Sequence, residues 1–226
     1  MYTLDDIFVY IFNWHKVNQN SLLLYEKIIP IIKNTCIINC DENLILNKSI
    51  KHIQLDDSCY YGSQYNYAIN NVESNCIFCV VAGDYIVSND FHVFFNSALK
   101  AFNNYNAGVF GPNDKRSPHH NEIIRHIEDT YYEIKNTDCG FWFIHPSIVE
   151  KLKNIDYCSN KYGWGIDVIT TTEARKQGLF VVRDYSIETD QLDHNTNYDG
   201  EEAMNLCNEF VKNYTLLHNT DFTLNP

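Results

Sequence analysis

Residues 76–83 (CIFCVVAG) are the most hydrophobic stretch of the chain, and Asp84 follows them directly. A short run this apolar, with no polar alternation, reads as a strand covered on both faces, and such strands lie at the centre of sheets flanked by helices. Further strands are predicted at 7–12 (IFVYIF), 35–39 (TCIIN), 50–55 (IKHIQL, shorter), 107–110 (AGVF), 139–145 (CGFWFIH) and 179–185 (LFVVRDY). Helices are predicted between them. The first covers 20–29, opened by Asn20 or Ser21 and stopped by Pro30. The second carries Tyr65, Ala68, Ile69 and Val72 at the i, i+3, i+4, i+7 spacing, and the third is capped by Asp90 with an aromatic stripe of Phe91, Phe94, Phe95 and Phe102. A short helix starts at Pro146, another spans 166–177 and is closed by Gly178, and the last begins at Asp199 with Glu202 as a capping-box partner. Residues 111–121 hold two prolines and no apolar periodicity, so they read as a long loop. Strand followed by helix, repeated, is the order of an α/β domain. With no repeat and no linker, one domain over 1–226 is expected, a mixed central sheet flanked by helices.

Charge narrows the function. The net charge is −12, which lacks the basic footprint that nucleic-acid binding requires. An anionic ligand entering such a protein needs local positive charge, and a divalent cation held by a carboxylate supplies it. The apolar run at 7–12 is far shorter than the roughly 20 residues of a membrane-spanning helix, so no transmembrane segment is expected. Eight cysteines include the pairs Cys36/Cys40 and Cys76/Cys79. These fall in apolar runs, where alternation sends Cys76 and Cys79 to opposite faces, so buried reduced thiols and a cytoplasmic location are the expectation.

Three features point to chemistry. Asp84 stands where open α/β sheets place their ligands, at the carboxyl end of a central strand, and Gly83 before it lets a ligand approach the backbone. A hard cation, Mn2+ or Mg2+, could be held there by one carboxylate and two phosphates. Residues 162–167 (YGWGID) place Trp164 between two glycines, an aromatic face for a sugar ring, and Asp167 in the first turn of the next helix. The helix dipole favours a carboxylate at that position, which suits a general base. Against this stands the plainer reading of a packing tryptophan and a helix-start aspartate. His194, in a polar stretch after the last strand, is a candidate metal ligand or simply a solvated side chain, and His119 and His120 on the long loop read as exposed.

The order of these features resembles nucleotide-sugar glycosyltransferases of the GT-A fold, in particular the family-2-like inverting enzymes, over about residues 5–214. The resemblance implies a Rossmann-like GT-A domain, a nucleotide-sugar donor with UDP favoured, a glycan or glycoconjugate acceptor and a divalent cation. It implies nucleotide contacts at Phe12, Asn13 and Trp14, at Asp41 or Glu42, and around Gly62 and Asn66. Of the family's Asp-x-Asp metal motif, Ala82, Gly83 and Asp84 keep only the second acid. The resemblance implies acceptor contacts at Asp138, Trp142 and Trp164, the base at Asp167 and a late metal-binding histidine at His194. Two rivals remain open from sequence: a sugar nucleotidyltransferase on a similar sheet, whose glycine-rich basic signature is absent from residues 13–21, and a non-catalytic glycan-binding module.

Overall fold

The computed structural model describes residues 1–192 and 199–218. The chain opens with β1 (Ile7–Asn13), α1 (Asn18–Ile28), β2 (Thr35–Asn39), β3 (His52–Gln54) and α2 (Tyr61–Asn71). Then come β4 (Ile77–Ala82), β5 (Tyr85–Val87), α3 (Phe91–Asn104), β6 (Ala107–Asp114), β7 (Ile123–Glu128) and β8 (Tyr131–Ile134). It closes with β9 (Phe141–Ile144), α4 (Pro146–Leu152), α5 (Ile166–Lys176), β10 (Phe180–Gln191) and α6 (Gly200–His218).

Among the described residues the strands form one mixed sheet in the order β3-β2-β1-β4-β9-β6-β10-β8-β7, with β5 joined to β10. The predicted central strand, β4, pairs parallel with β1 and antiparallel with β9. Direction follows from these pairings. β1, β2, β3, β4, β6 and β10 all run one way, because β1–β2, β2–β3 and β6–β10 are parallel and β9 runs against both β4 and β6. Their carboxyl ends therefore share an edge with the start of β9. α5 ends just before β10 begins at the opposite edge, so the amino end of α5 points back to the same carboxyl edge.

Alternation builds two cores, one per face. Ile7, Val9, Ile11, Cys79, Val81, Phe141 and Phe143 pack with the apolar faces of α1 and α3. Phe8, Tyr10, Phe12, Phe78, Val80, Trp142 and Ile144 pack with α2, α4, α5 and α6. Helices thus cover both faces, and side chains one residue apart on a strand enter different cores. The aromatic stripe of α3 is buried, and Asp90 caps that helix by accepting from the His92 N–H at 2.7 Å. Cys79 and Cys76 fall on opposite sides, and every described cysteine is unpaired.

Several elements differ from expectation. The stretch predicted as a loop from residue 111 continues β6 to Asp114, where it pairs with the second half of β10. The β7–β8 hairpin has no counterpart among the predicted strands: β7 is exposed almost throughout, so its side chains carry no inside-outside alternation. α1 starts earlier than predicted, from Val17 and without a side-chain cap, because Asn20 and Ser21 already lie inside the helix. No helix among the described residues is long and apolar enough to cross a membrane.

Candidate active site

At the carboxyl edge the parallel strands end in amides. Asn13, Asn39 and Gln54 are register partners across β1, β2 and β3. Asn13 Nδ2 donates to Asn39 Oδ1 at 2.6 Å, and Asn39 Nδ2 donates to Gln54 Oε1 at 2.7 Å. Asn13 Nδ2 also donates to Asn18 Oδ1 at 2.7 Å, and Asn18 in turn donates to Asp41 Oδ2 at 2.6 Å. The bond from Asn18, with the Asn43 N–H on the other oxygen at 2.9 Å, holds the Asp41 carboxyl below its ordinary range. Asp41 is thus tied to the end of β1, whereas Glu42 beside it is exposed.

One strand further in, β4 delivers Gly83 and Asp84. The Gly83 N–H donates to the Phe12 carbonyl at 2.8 Å, and a Cβ there would lie 2.2 Å from Ser21 Oγ and 2.8 Å from Phe12 O. The glycine is required because β1 and α1 close on it, leaving no room for a methyl group. Asp84 is 8% exposed, and its carbonyl accepts from the Leu192 N–H at 2.8 Å. Tyr85 follows, and its hydroxyl lies 2.8 Å from Asp114 Oδ2 at the end of β6 and 3.1 Å from Asp138 Oδ1 before β9. Gln191 Nε2 donates to the same hydroxyl at 2.9 Å and to Asp114 at 3.1 Å. A phenol has one proton to give, so it serves one carboxylate at a time. Asp138 can answer by being the acid itself. Burial, helped by the charges of Asp167 and Asp114 and opposed by the Gly140 N–H, pushes its carboxyl up to about 6. Burial and the same carboxylates, with Asp84, drive the Tyr85 hydroxyl well upward.

Asp167 reaches this edge from the other core. Gly163 and Gly165 both adopt positive φ, +78° and +88°, and Gly165 is the N-cap of α5. This left-handed pair turns the chain so that Trp164 packs partly buried against the second core and Asp167 enters the first turn. The preceding turn is clamped by α2. A Cβ at Gly62 would lie 2.1 Å from the Asn160 carbonyl, and one turn later Asn66 Oδ1 accepts from the Tyr157 N–H at 3.4 Å. Asp167 Oδ2 lies 3.2 Å from His119 Nε2, and His119 Nδ1 lies 3.1 Å from Glu122 Oε2. The Asp167 contact is the largest cause of a raised His119 value, against the opposing effect of burial.

The structure therefore brings Asn13, Asp41, Gly83, Asp84, Asp138 and Asp167 to one edge, with Trp14 and Trp164 partly buried nearby in sequence. Several expectations change. His119 and His120, read as exposed, are both half-buried, with His119 set between Asp167 and Glu122. Phe12 and Trp142 are 0% exposed, because alternation turns both rings into the core under α2, and neither can stack on a ligand. Gly62 and Asn66 face the 157–161 turn rather than open space, since they share one face of α2. His194 lies outside the described residues. Tyr85, Asp114, Gln191 and His119 were not singled out as site residues; extending the strand at 107–110 by four residues would have exposed Asp114 as a second strand-end acid. Among the described residues no group of three or more His, Cys, Asp or Glu side chains is gathered to hold a metal.

No protein-family model matches the chain, and no curated protein matches it by sequence. Solved structures do. A GalNAc-T7 structure with UDP, GalNAc and Mn2+ superposes with a TM-score of 0.61 at 8% identity, over 86% of this chain and 44% of that one. This chain thus spans less than half the length of GalNAc-T7. A putative glucose-1-phosphate thymidylyltransferase from Bacillus anthracis, in complex with a sucrose, superposes with a TM-score of 0.53 at 15% identity, over 89% of this chain and 95% of that one. Identities this low speak for the fold alone. With a mixed sheet between two helical layers and these two neighbours, the chain has a GT-A-like, Rossmann-type fold.

Proposed function

We propose that this protein is a glycosyltransferase that moves a sugar from a nucleotide-diphosphate donor, UDP-linked sugars foremost, to a hydroxyl of a glycan or glycoconjugate. One observation carries the proposal. Asp84, at the end of β4, and Asp167, at the start of α5, reach a single edge, and Tyr85 and Asp138 link them: Tyr85 feels the Asp84 charge and bonds Asp138, which feels the Asp167 charge. A single displacement needs leaving group and base on different flanks of one sugar, and this arrangement supports that reading.

In this reading the acceptor oxygen attacks the anomeric carbon while its proton passes to Asp167. The bond from that carbon to the diphosphate oxygen breaks, and the configuration inverts. Asp138, with a carboxyl near 6, and the partly buried Trp164 would orient the acceptor. Asp41, tied through Asn18 to the fully buried Asn13, would meet the nucleoside, with Trp14 next to Asn13 in sequence. The donor set suits a hard cation in kind: Asp84 offers carboxylate oxygens, the diphosphate would add more, and His194 is the second candidate ligand. Bound there, Mn2+ or Mg2+ would supply neutralisation of charge on the departing diphosphate.

The near-complete overlap with the thymidylyltransferase supports a second reading, sugar nucleotidyl transfer. Incubation with UDP- and GDP-sugars plus Mn2+ separates the two. Release of nucleoside diphosphate that Asp84→Ala abolishes supports glycosyl transfer. Release of pyrophosphate from a nucleoside triphosphate and a sugar phosphate replaces it with the second reading.

A further inference from the structure

We infer that His119 is a positioning residue for Asp167, an imidazolium held between Asp167 and Glu122 on a strap that Arg183 pins to the sheet; the inference rests on Asp167 being the base. The geometry requires two donors. Nε2 faces Asp167 Oδ2 at 3.2 Å and Nδ1 faces Glu122 Oε2 at 3.1 Å. A neutral imidazole donates from one nitrogen and would turn a lone pair on the other carboxylate, whereas the imidazolium donates from both. The side chains of His119 and Asp167 are only 20% and 13% exposed, so water screens the pair weakly.

The bridge closes on itself. Glu122 Oε2 also accepts from Asn136 Nδ2 at 3.1 Å, and Asn136 Oδ1 accepts from Thr171 Oγ1 at 3.0 Å. Thr171 lies one turn after Asp167 on α5, so the path from Asp167 through His119, Glu122 and Asn136 returns to the helix it left. The strap is fixed from below as well. Arg183, 0% exposed on β10, donates from Nη1 to the carbonyls of His119 at 3.1 Å and His120 at 2.8 Å, and the Tyr185 hydroxyl donates to the His120 carbonyl at 2.8 Å. The charged groups around the ring are thus Asp167 from α5, Glu122 from its own segment and Arg183 from β10. Arg175 acts on Glu122, and Asp138, which also feels Asp114, interacts with Asp167. Oδ2 of Asp167 is committed to His119, and Oδ1 is left to meet the acceptor. The imidazolium places positive charge directly between Asp167 and Glu122.

The test follows the His119 ring by NMR across about pH 5–9, its signals assigned by their loss in His119→Gln. The ring is expected to titrate above 6.5 and to fall back towards it in Asp167→Asn and in Glu122→Gln. In the transfer assay His119→Gln should lower kcat at least about tenfold with the donor KM unchanged, and Glu122→Gln should lower it in the same sense. A ring that titrates at its ordinary value, or that ignores both substitutions, overturns the inference. A raised, Asp167-dependent value in a protein that consumes no sugar donor upholds the bridge and overturns Asp167 as the base.

Discussion

Asp138→Asn should make the protein more stable at neutral pH. The Asp138 carboxyl titrates near 3.8 in a solvated chain and is pushed up to about 6 in the fold, chiefly by burial and then by the charges of Asp167 and Asp114. The folded state therefore holds a proton that the unfolded chain releases first. Below the unfolded value both states are protonated and nothing is lost. As pH rises towards the folded value the unfolded state is favoured, and above it both are ionised and the loss is complete. The rise is about two pH units at about 1.4 kcal/mol each, giving a loss of up to ~3 kcal/mol. Asparagine keeps an oxygen for the Gly140 N–H, which now donates to Asp138 Oδ1 at 2.8 Å, and it has no proton to lose. Urea unfolding at several pH values between about 4 and 8 should find the variant close to the parent at the acid end and increasingly more stable above it. Curves that stay parallel, or a variant weaker at every pH, would refute the idea that a strained carboxylate sits beside Tyr85.

Gly83→Ala should destabilise by about 1–3 kcal/mol in urea unfolding, because the new methyl would meet Ser21 and the Phe12 backbone, and only the former can rotate away. The same variant should weaken nucleotide binding, since Asp84 is the next residue. UDP with Mn2+ at about 100 times Kd should raise stability by about 2.7 kcal/mol in a thermal-shift assay, and Asp84→Ala should erase that gain; an equal gain in the variant removes Asp84 from the binding site. Asp184 is held below its ordinary value because hydrogen bonds from Ser97, Thr130 and Ser186 outweigh the upward push of burial. Its contribution is present above the unfolded value and lost as pH falls through the folded one. Ser97→Ala, which removes a 2.6 Å bond to Asp184, should cost about 1–3 kcal/mol at pH 7 and less in acid, read from urea midpoints at the two pH values.

The central strand, the amphipathic helices α2 and α3 and the glycine-flanked bend at Trp164 were legible because each is written in a few neighbouring residues. Period-2 and period-3.6 patterns, a cap at Asp90 and a tryptophan between two glycines are local facts. The placement of Asp84 after the most apolar run was legible for the same reason. Trp142 was not. Its alternation with Phe141 and Phe143 says that neighbours face opposite ways, yet helices cover both faces of this sheet, so alternation alone could not tell a buried ring from one open to ligand. The roles of Gly62 and Asn66 depended on a turn almost a hundred residues away, which Asn66 meets at Tyr157.

By itself, then, the sequence determined an α/β domain, the identity of its central strand and the acids at a strand end and a helix start. Tertiary structure alone decided that those acids share an edge, that Tyr85 links Asp114 to Asp138, and that His119 meets Asp167 across 48 residues of chain. The reason is physical. Secondary structure follows from backbone and side-chain preferences within a turn or a strand, whereas strand order and the pairing of polar groups across it follow from the packing of whole layers, which no local pattern encodes.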